Sequence, residues 1–108
     1  MEDNKLIREI VRMTIEEFKK SGLLKSNDDL AYSEMAVNLR SYYHGKKTHD
    51  ITQALKKIES DPYFEIIPLY YQKNNTIERI AEEFGVEVST ITRNKKRLCL
   101  LLYNLIEN

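Results

Sequence analysis

"TIERIAEEFGVEVSTITRNKKRL", residues 76–98, decides how this chain is read. Its first half sets Ile77, Ile80, Ala81 and Phe84 at the spacing of one helix face. Ala81 is small enough to let a second helix approach. Gly85 follows, and glycine adopts positive φ without steric cost, as a tight turn requires. Val86 and Val88 are available to seal that turn. Ile91 and Leu98 are the inward residues of a second helix, with Lys95 lying between them near the buried seam. Two helices crossing steeply over a glycine turn make a helix-turn-helix.

The outward side of the second helix then carries Ser89, Thr90, Thr92, Arg93, Asn94, Lys96 and Arg97. Arginine bonds guanine through two donors, and asparagine bonds adenine through a donor and an acceptor. Serine and threonine reach bases or phosphates. No carboxylate interrupts this helix until Glu107, while Glu78, Glu82, Glu83 and Glu87 precede it. The competing reading of these residues is a helical hairpin with a solvated basic face.

Asn75 or Thr76 caps the first helix of the motif. Upstream, "SDPYFEIIPLYYQKN" places Asp61 before Pro62, a helix start, and Pro68 then kinks or breaks that helix. Ile51, Ala54, Leu55 and Ile58 mark a shorter helix before it. "HGKKTH", residues 44–49, is a loop able to divide the chain in two. Tyr32, Met35, Ala36, Leu39 and Tyr43 form the stripe of a second helix, with Asn27 or Asp28 as its cap. A first helix spans residues 5–20 and stops at Gly22. The final helix begins near Ser89 and ends in the strongly apolar "LCLLLYNLI", which packs inside the domain or forms a dimer seam.

No segment alternates at period two, so no sheet is expected. The predicted fold is all-α: a bundle of five to six helices with a C-terminal helix-turn-helix. Residues 1–45 form an N-terminal helical hairpin and 46–108 the DNA-binding region, within one compact domain.

Composition narrows the function. The 108 residues suit one domain, and 42% hydrophobic with 31% charged residues describes a globular chain. No apolar run reaches the roughly 18 residues of a membrane span, and the opening "MEDNK" is no signal peptide. A single cysteine, Cys99, sits in an apolar context and reads as a small core residue, so a cytoplasmic setting is expected. Net charge is zero, but the bases are clustered: Arg93, Lys95, Lys96 and Arg97 near the end, and Arg40, Lys46, Lys47, Lys56 and Lys57 in mid-chain. Phosphate neutralisation is local, so such patches suffice for DNA. Lys46, Lys47 and Thr76 are further candidates for phosphate contact.

His44 and His49 offer too few ligands for a metal, and no cofactor is expected. Tyr63, Tyr70 and Tyr71 read as core residues with their hydroxyls near the surface, not as a stacking platform. No nucleophile elbow, phosphate loop or paired carboxylate points to an enzyme.

Residues 76–98 resemble the C-terminal region 4 DNA-binding domain of bacterial sigma factors. With the preceding "ALKKIESDPYFEIIPLYYQKNNTIERIAEEF", residues 50–106 are similar to sigma-like regulators of phages and prophages of low-GC Gram-positive bacteria, the ArpU/RinA-like group. That resemblance implies a transcriptional regulator, an activator of late phage genes. It places the helix beginning near Ser89 in the major groove of double-stranded DNA. It also implies RNA polymerase as a second partner. The apolar tail leaves a monomer or a homodimer open. Residues 1–45 match no polymerase-binding or promoter-melting domain, so a complete sigma factor is not expected. Two alternatives stay open. One is a small terminase-like packaging subunit, and the other a helical module that docks an acidic protein.

Overall fold

Residues 27–107 are described by a computed structural model, and among them are five helices and no strand. These are α1 (Asn27–Tyr43), α2 (His49–Ile58), α3 (Ile66–Tyr71), α4 (Ile77–Phe84) and α5 (Val88–Glu107). Residues 31–108 form one compact unit, and the first turn of α1 belongs to the preceding one. The helix expected over residues 5–20, with its stop at Gly22, lies outside the described residues. None of the described helices is long and apolar enough to cross a membrane.

Local chemistry sets each boundary. The described part of α1 begins at Asn27, so the cap expected at Asn27 or Asp28 lies at the edge of the described residues. Asp28 and Asp29 there favour the positive end of the helix. α1 ends at Tyr43 and is closed by Gly45, whose φ is +112°. The Lys46 amide bonds to Ser41 O at 3.0 Å and the Gly45 amide to Tyr42 O at 3.4 Å, the paired bonds of a glycine C-terminal cap. Thr48 then caps α2, its Oγ1 accepting from the Ile51 amide at 3.4 Å. The 44–49 loop therefore joins two helices of one core. Tyr42 Oη and Thr52 Oγ1 bond across it at 2.9 Å.

Pro68 neither kinks nor breaks a helix. Residues 59–65 are turns, in which Asp61 Oδ1 accepts from the Tyr63 amide at 2.9 Å. α3 starts only at Ile66, so Pro68 falls in its first turn, where no amide needs an intrahelical acceptor. Asn74, at φ +56°, turns the chain out of α3. Thr76 is the cap of α4, its Oγ1 accepting from the Arg79 amide at 3.2 Å.

Two apolar clusters result. The larger joins Met35, Leu39 and Tyr42 of α1 to Ile51, Leu55 and Ile58 of α2, Ile67 and Tyr71 of α3, and Leu98, Cys99 and Leu102 of α5. The smaller joins Ile66 of α3, Ile80 and Ala81 of α4, and Ile91 of α5. α5 thus runs across both, with its N-terminal half on the small cluster and its C-terminal half on the large one. The apolar tail is buried on one side only. Leu98, Cys99 and Leu102 are covered, while Leu101 and Leu105 remain 38% and 36% exposed.

Tyr71 departs from the expected pattern. Its hydroxyl lies in the core, 3.5 Å from Cys99 Sγ, and burial raises the pKa of both groups. Tyr63 stacks on Phe84 with ring centroids 5.5 Å apart, tying the 59–65 turns to α4. Tyr42, at 7% exposure, replaces Tyr43 as the innermost tyrosine of α1.

Candidate nucleic-acid interface

The α4–α5 connection is built by Gly85, at φ +66° and ψ +34°. The Val86 amide bonds to Ala81 O at 3.1 Å and the Gly85 amide to Glu82 O at 3.2 Å, closing the end of α4. A Cβ at Gly85 would meet nothing within 4 Å, so only backbone conformation demands glycine. Gly85→Ala is therefore expected to lower stability by about 1–2 kcal/mol, measured by urea unfolding. Val86 packs against the small cluster with Phe84. Val88 does not share that task. It is the first residue of α5 and is 43% exposed.

α5 starts on the Thr90 amide, which bonds to Glu87 O at 3.0 Å. Ile91, Lys95 and Leu98 form its buried stripe. Ser89, Thr92, Arg93 and Arg97 are exposed, while Thr90, Asn94 and Lys96 are half-buried. The seven residues expected on the outward side thus fall on one surface, graded in depth. Several bond within the helix: Thr92 Oγ1 donates to Val88 O at 3.1 Å, Arg93 Nε to Ser89 O at 3.4 Å, and Asn94 Nδ2 to Thr90 O at 2.8 Å.

Arg97 is held most firmly. Its Nη1 and Nη2 donate to Asp61 Oδ2 and Oδ1, each at 2.9 Å, and its Nε donates to Asn94 Oδ1 at 3.1 Å. These bonds use three of the five guanidinium N–H groups. They hold the Asp61 carboxyl below the ordinary carboxylate range. The stability this pair contributes is therefore present above that range and lost as pH falls through the lowered pKa. Asp61 carries no local signal of this role. It lies 36 residues from Arg97, and in the sequence it resembles a simple helix start.

Lys95 is buried at 8% exposure. Its Nζ sits 3.9 Å from the centroid of the Tyr70 ring and 5.6 Å from that of Tyr32. The Arg40 guanidinium lies 5.7 Å from the Tyr70 centroid and 5.6 Å from that of Tyr71. Lys95 therefore pins α5 to α1 and α3 and is not on the outward surface. Lys95→Ala removes both the buried stem and the cation–π contact, a loss expected near 2 kcal/mol. Lys95→Met keeps the apolar stem and is expected to cost less than about 1 kcal/mol. Urea unfolding of the two variants measures the difference.

Lys46 and Lys47 are not gathered onto this surface. The start of α2 lies at the far end of α5, where His49, Asp50 and Gln53 line a shallow depression with Leu105 and Ile106. Arg93 and Leu105 are separated by about 18 Å of helix. Lys47 Nζ instead sits 6.0 Å from the Tyr42 ring centroid, and His44 Nδ1 bonds to Arg40 O at 2.7 Å. Thr76 is engaged as the cap of α4. A feature not anticipated is a strip along the surface of α5 in which Arg93, Lys96 and Arg97 give way to Leu100, Leu101 and Asn104.

Fold and surface together define an all-helical domain with a cationic helix face, standing on a glycine turn. Comparison with family models, curated proteins and solved structures gives no match to this chain.

Proposed function

We propose that this chain is a sequence-specific double-stranded DNA-binding regulator of transcription, with α4 and α5 acting as a helix-turn-helix. One observation carries the reading. The exposed side of the first turns of α5 offers Ser89, Thr92, Arg93 and Arg97 without a carboxylate of its own helix. Asp61, which lies against it, is neutralised by Arg97. Such a surface meets a major groove without repelling phosphate, and Arg93 is suited to guanine. Lys96 holds phosphate, and Thr90 and Asn94 support the readers from half-buried positions. Lys46 and Lys47 serve only a phosphate far along the duplex. Activation of late phage genes is the role that the resemblance adds.

The test is fluorescence anisotropy with short duplexes tiled from the DNA flanking the gene, at several salt concentrations. One duplex bound far more tightly than the others supports the reading, and equal affinity for all contradicts it.

A second reading rests on Leu100 and Leu101, which continue the cationic strip of α5. There the cations and leucines dock an acidic, apolar segment of a protein such as RNA polymerase. Duplex binding that is sequence-blind and lost at moderate salt favours that reading.

A further inference from the structure

Three of the residues assigned to DNA reading do not stand alone. A continuous chain of bonds runs from Thr90 O to Asn94, from Asn94 to Arg97, from Arg97 to Asp61, and from Asp61 to the Tyr63 amide. Each end is backbone, so the side chains between them are fixed at both ends. Asp61 Oδ1 accepts from the Tyr63 amide and from Arg97 Nη2. The carboxylate is thus locked before it grips the arginine. It is also largely covered, at 18% exposure against 46% for Arg97. Two parallel charge-assisted bonds in this geometry fix the plane of the guanidinium as well as its position.

This arrangement matters in two ways for a DNA-reading face. A free arginine on a long stem pairs with any phosphate in reach, which adds affinity without sequence preference. An arginine held by a carboxylate presents its remaining donors in one orientation, and the pair has no net charge to attract phosphate. Asn94 is fixed by the same chain. Its Oδ1 accepts from Arg97 and its Nδ2 donates to Thr90 O, so the bidentate pairing with adenine would require release of these bonds.

We propose that Asp61 is a specificity-determining residue. By gripping Arg97 it withholds that cation from indiscriminate phosphate pairing and fixes the two remaining guanidinium N–H donors for the bases, with Asn94 as their support. The inference rests on the DNA-binding reading above and adds to it a residue outside the α4–α5 unit. Asp61 touches no DNA in this account, so it is a positioning residue.

The test compares wild type with Asp61→Asn, which keeps the size of the side chain and an acceptor for the Tyr63 amide. Affinities are measured for the preferred duplex and for a scrambled duplex across a salt series. The scrambled duplex is expected to bind more tightly to the variant, with the salt slope steeper by about one as Arg97 gains a phosphate. The ratio of preferred to scrambled affinity is expected to fall by roughly fivefold or more, the scale of one lost base discrimination. In an Arg97→Ala background, Asp61→Asn is expected to leave the ratio unchanged, because Asp61 acts only through Arg97.

Removing a negative charge by itself strengthens both complexes alike. An unchanged ratio with both affinities raised therefore overturns the inference while the DNA reading stands. Absence of duplex binding by wild type overturns the reading and the inference together.

Discussion

Leu98→Ala is expected to lower the stability of the domain by about 3 kcal/mol, within the 2–5 kcal/mol found for buried leucines truncated in well-packed cores. Leu98 is fully buried and belongs to the cluster that joins α5 to α1, α2 and α3. Its removal leaves a void in the larger cluster, to which α1, α2, α3 and α5 all contribute. Leu101, one turn away and 38% exposed, supplies the control. Leu101→Ala is expected to change stability by less than about 1 kcal/mol. Urea unfolding followed by circular dichroism measures both. Equal effects would mean that α5 is turned differently about its axis, which would also move the reading face.

Arg93→Ala is expected to weaken binding to the preferred duplex by about 1–3 kcal/mol, roughly 5- to 150-fold, and to relax sequence choice at one base pair. Arg93 is exposed, and its Nε bond to Ser89 O, at 3.4 Å, is long and easily exchanged for a base edge. Its removal should change stability by no more than about 0.5 kcal/mol, so affinity loss cannot be ascribed to unfolding. Lys96→Ala is expected to weaken preferred and scrambled duplexes alike, because a cation paired with phosphate reads no sequence. Anisotropy titrations of both variants separate the two roles. If Arg93→Ala leaves the preferred complex unchanged, base reading lies elsewhere.

Much of this architecture was legible because short-range rules decide it. Gly85 had to be the turn, since no other residue near it takes positive φ cheaply, and it does. Ile77, Ile80, Ala81 and Phe84 had to face inward, and they pack on the small cluster. Helical chemistry puts the start of α5 near Ser89, and the helix begins at Val88.

What escaped the reading depends on tertiary neighbours. Pro68 signalled a break only if a helix was already running when it arrived. The turns over residues 59–65 delay that helix, so the proline falls harmlessly in its first turn. Spacing puts Lys95 near the seam, but nothing local announces Tyr32 and Tyr70 around its ammonium. Tyr71 shares its sequence neighbourhood with Tyr63 and Tyr70, yet it alone is driven into the core, beside Cys99.

The cationic side of α5 shows the same division. Helical spacing is enough to put Ser89, Thr92, Arg93 and Arg97 on its exposed side. Their bonds are not legible in the sequence, because Asp61 lies 36 residues from Arg97. Charge alone makes Lys46 and Lys47 candidates for phosphate contact, and it does not say where they stand relative to α5. The chain carries them to the start of α2, near Leu105 and Ile106 at the other end of α5.

The most direct measurement is a nitrogen-15 NMR titration of the protein with its preferred duplex, read amide by amide. The account predicts that the largest shifts fall on residues 88–97, at low stoichiometry and with sequence preference. Shifts concentrated on residues 100–106 or on α2, with 88–97 unchanged, would contradict the claim that this face of α5 reads DNA.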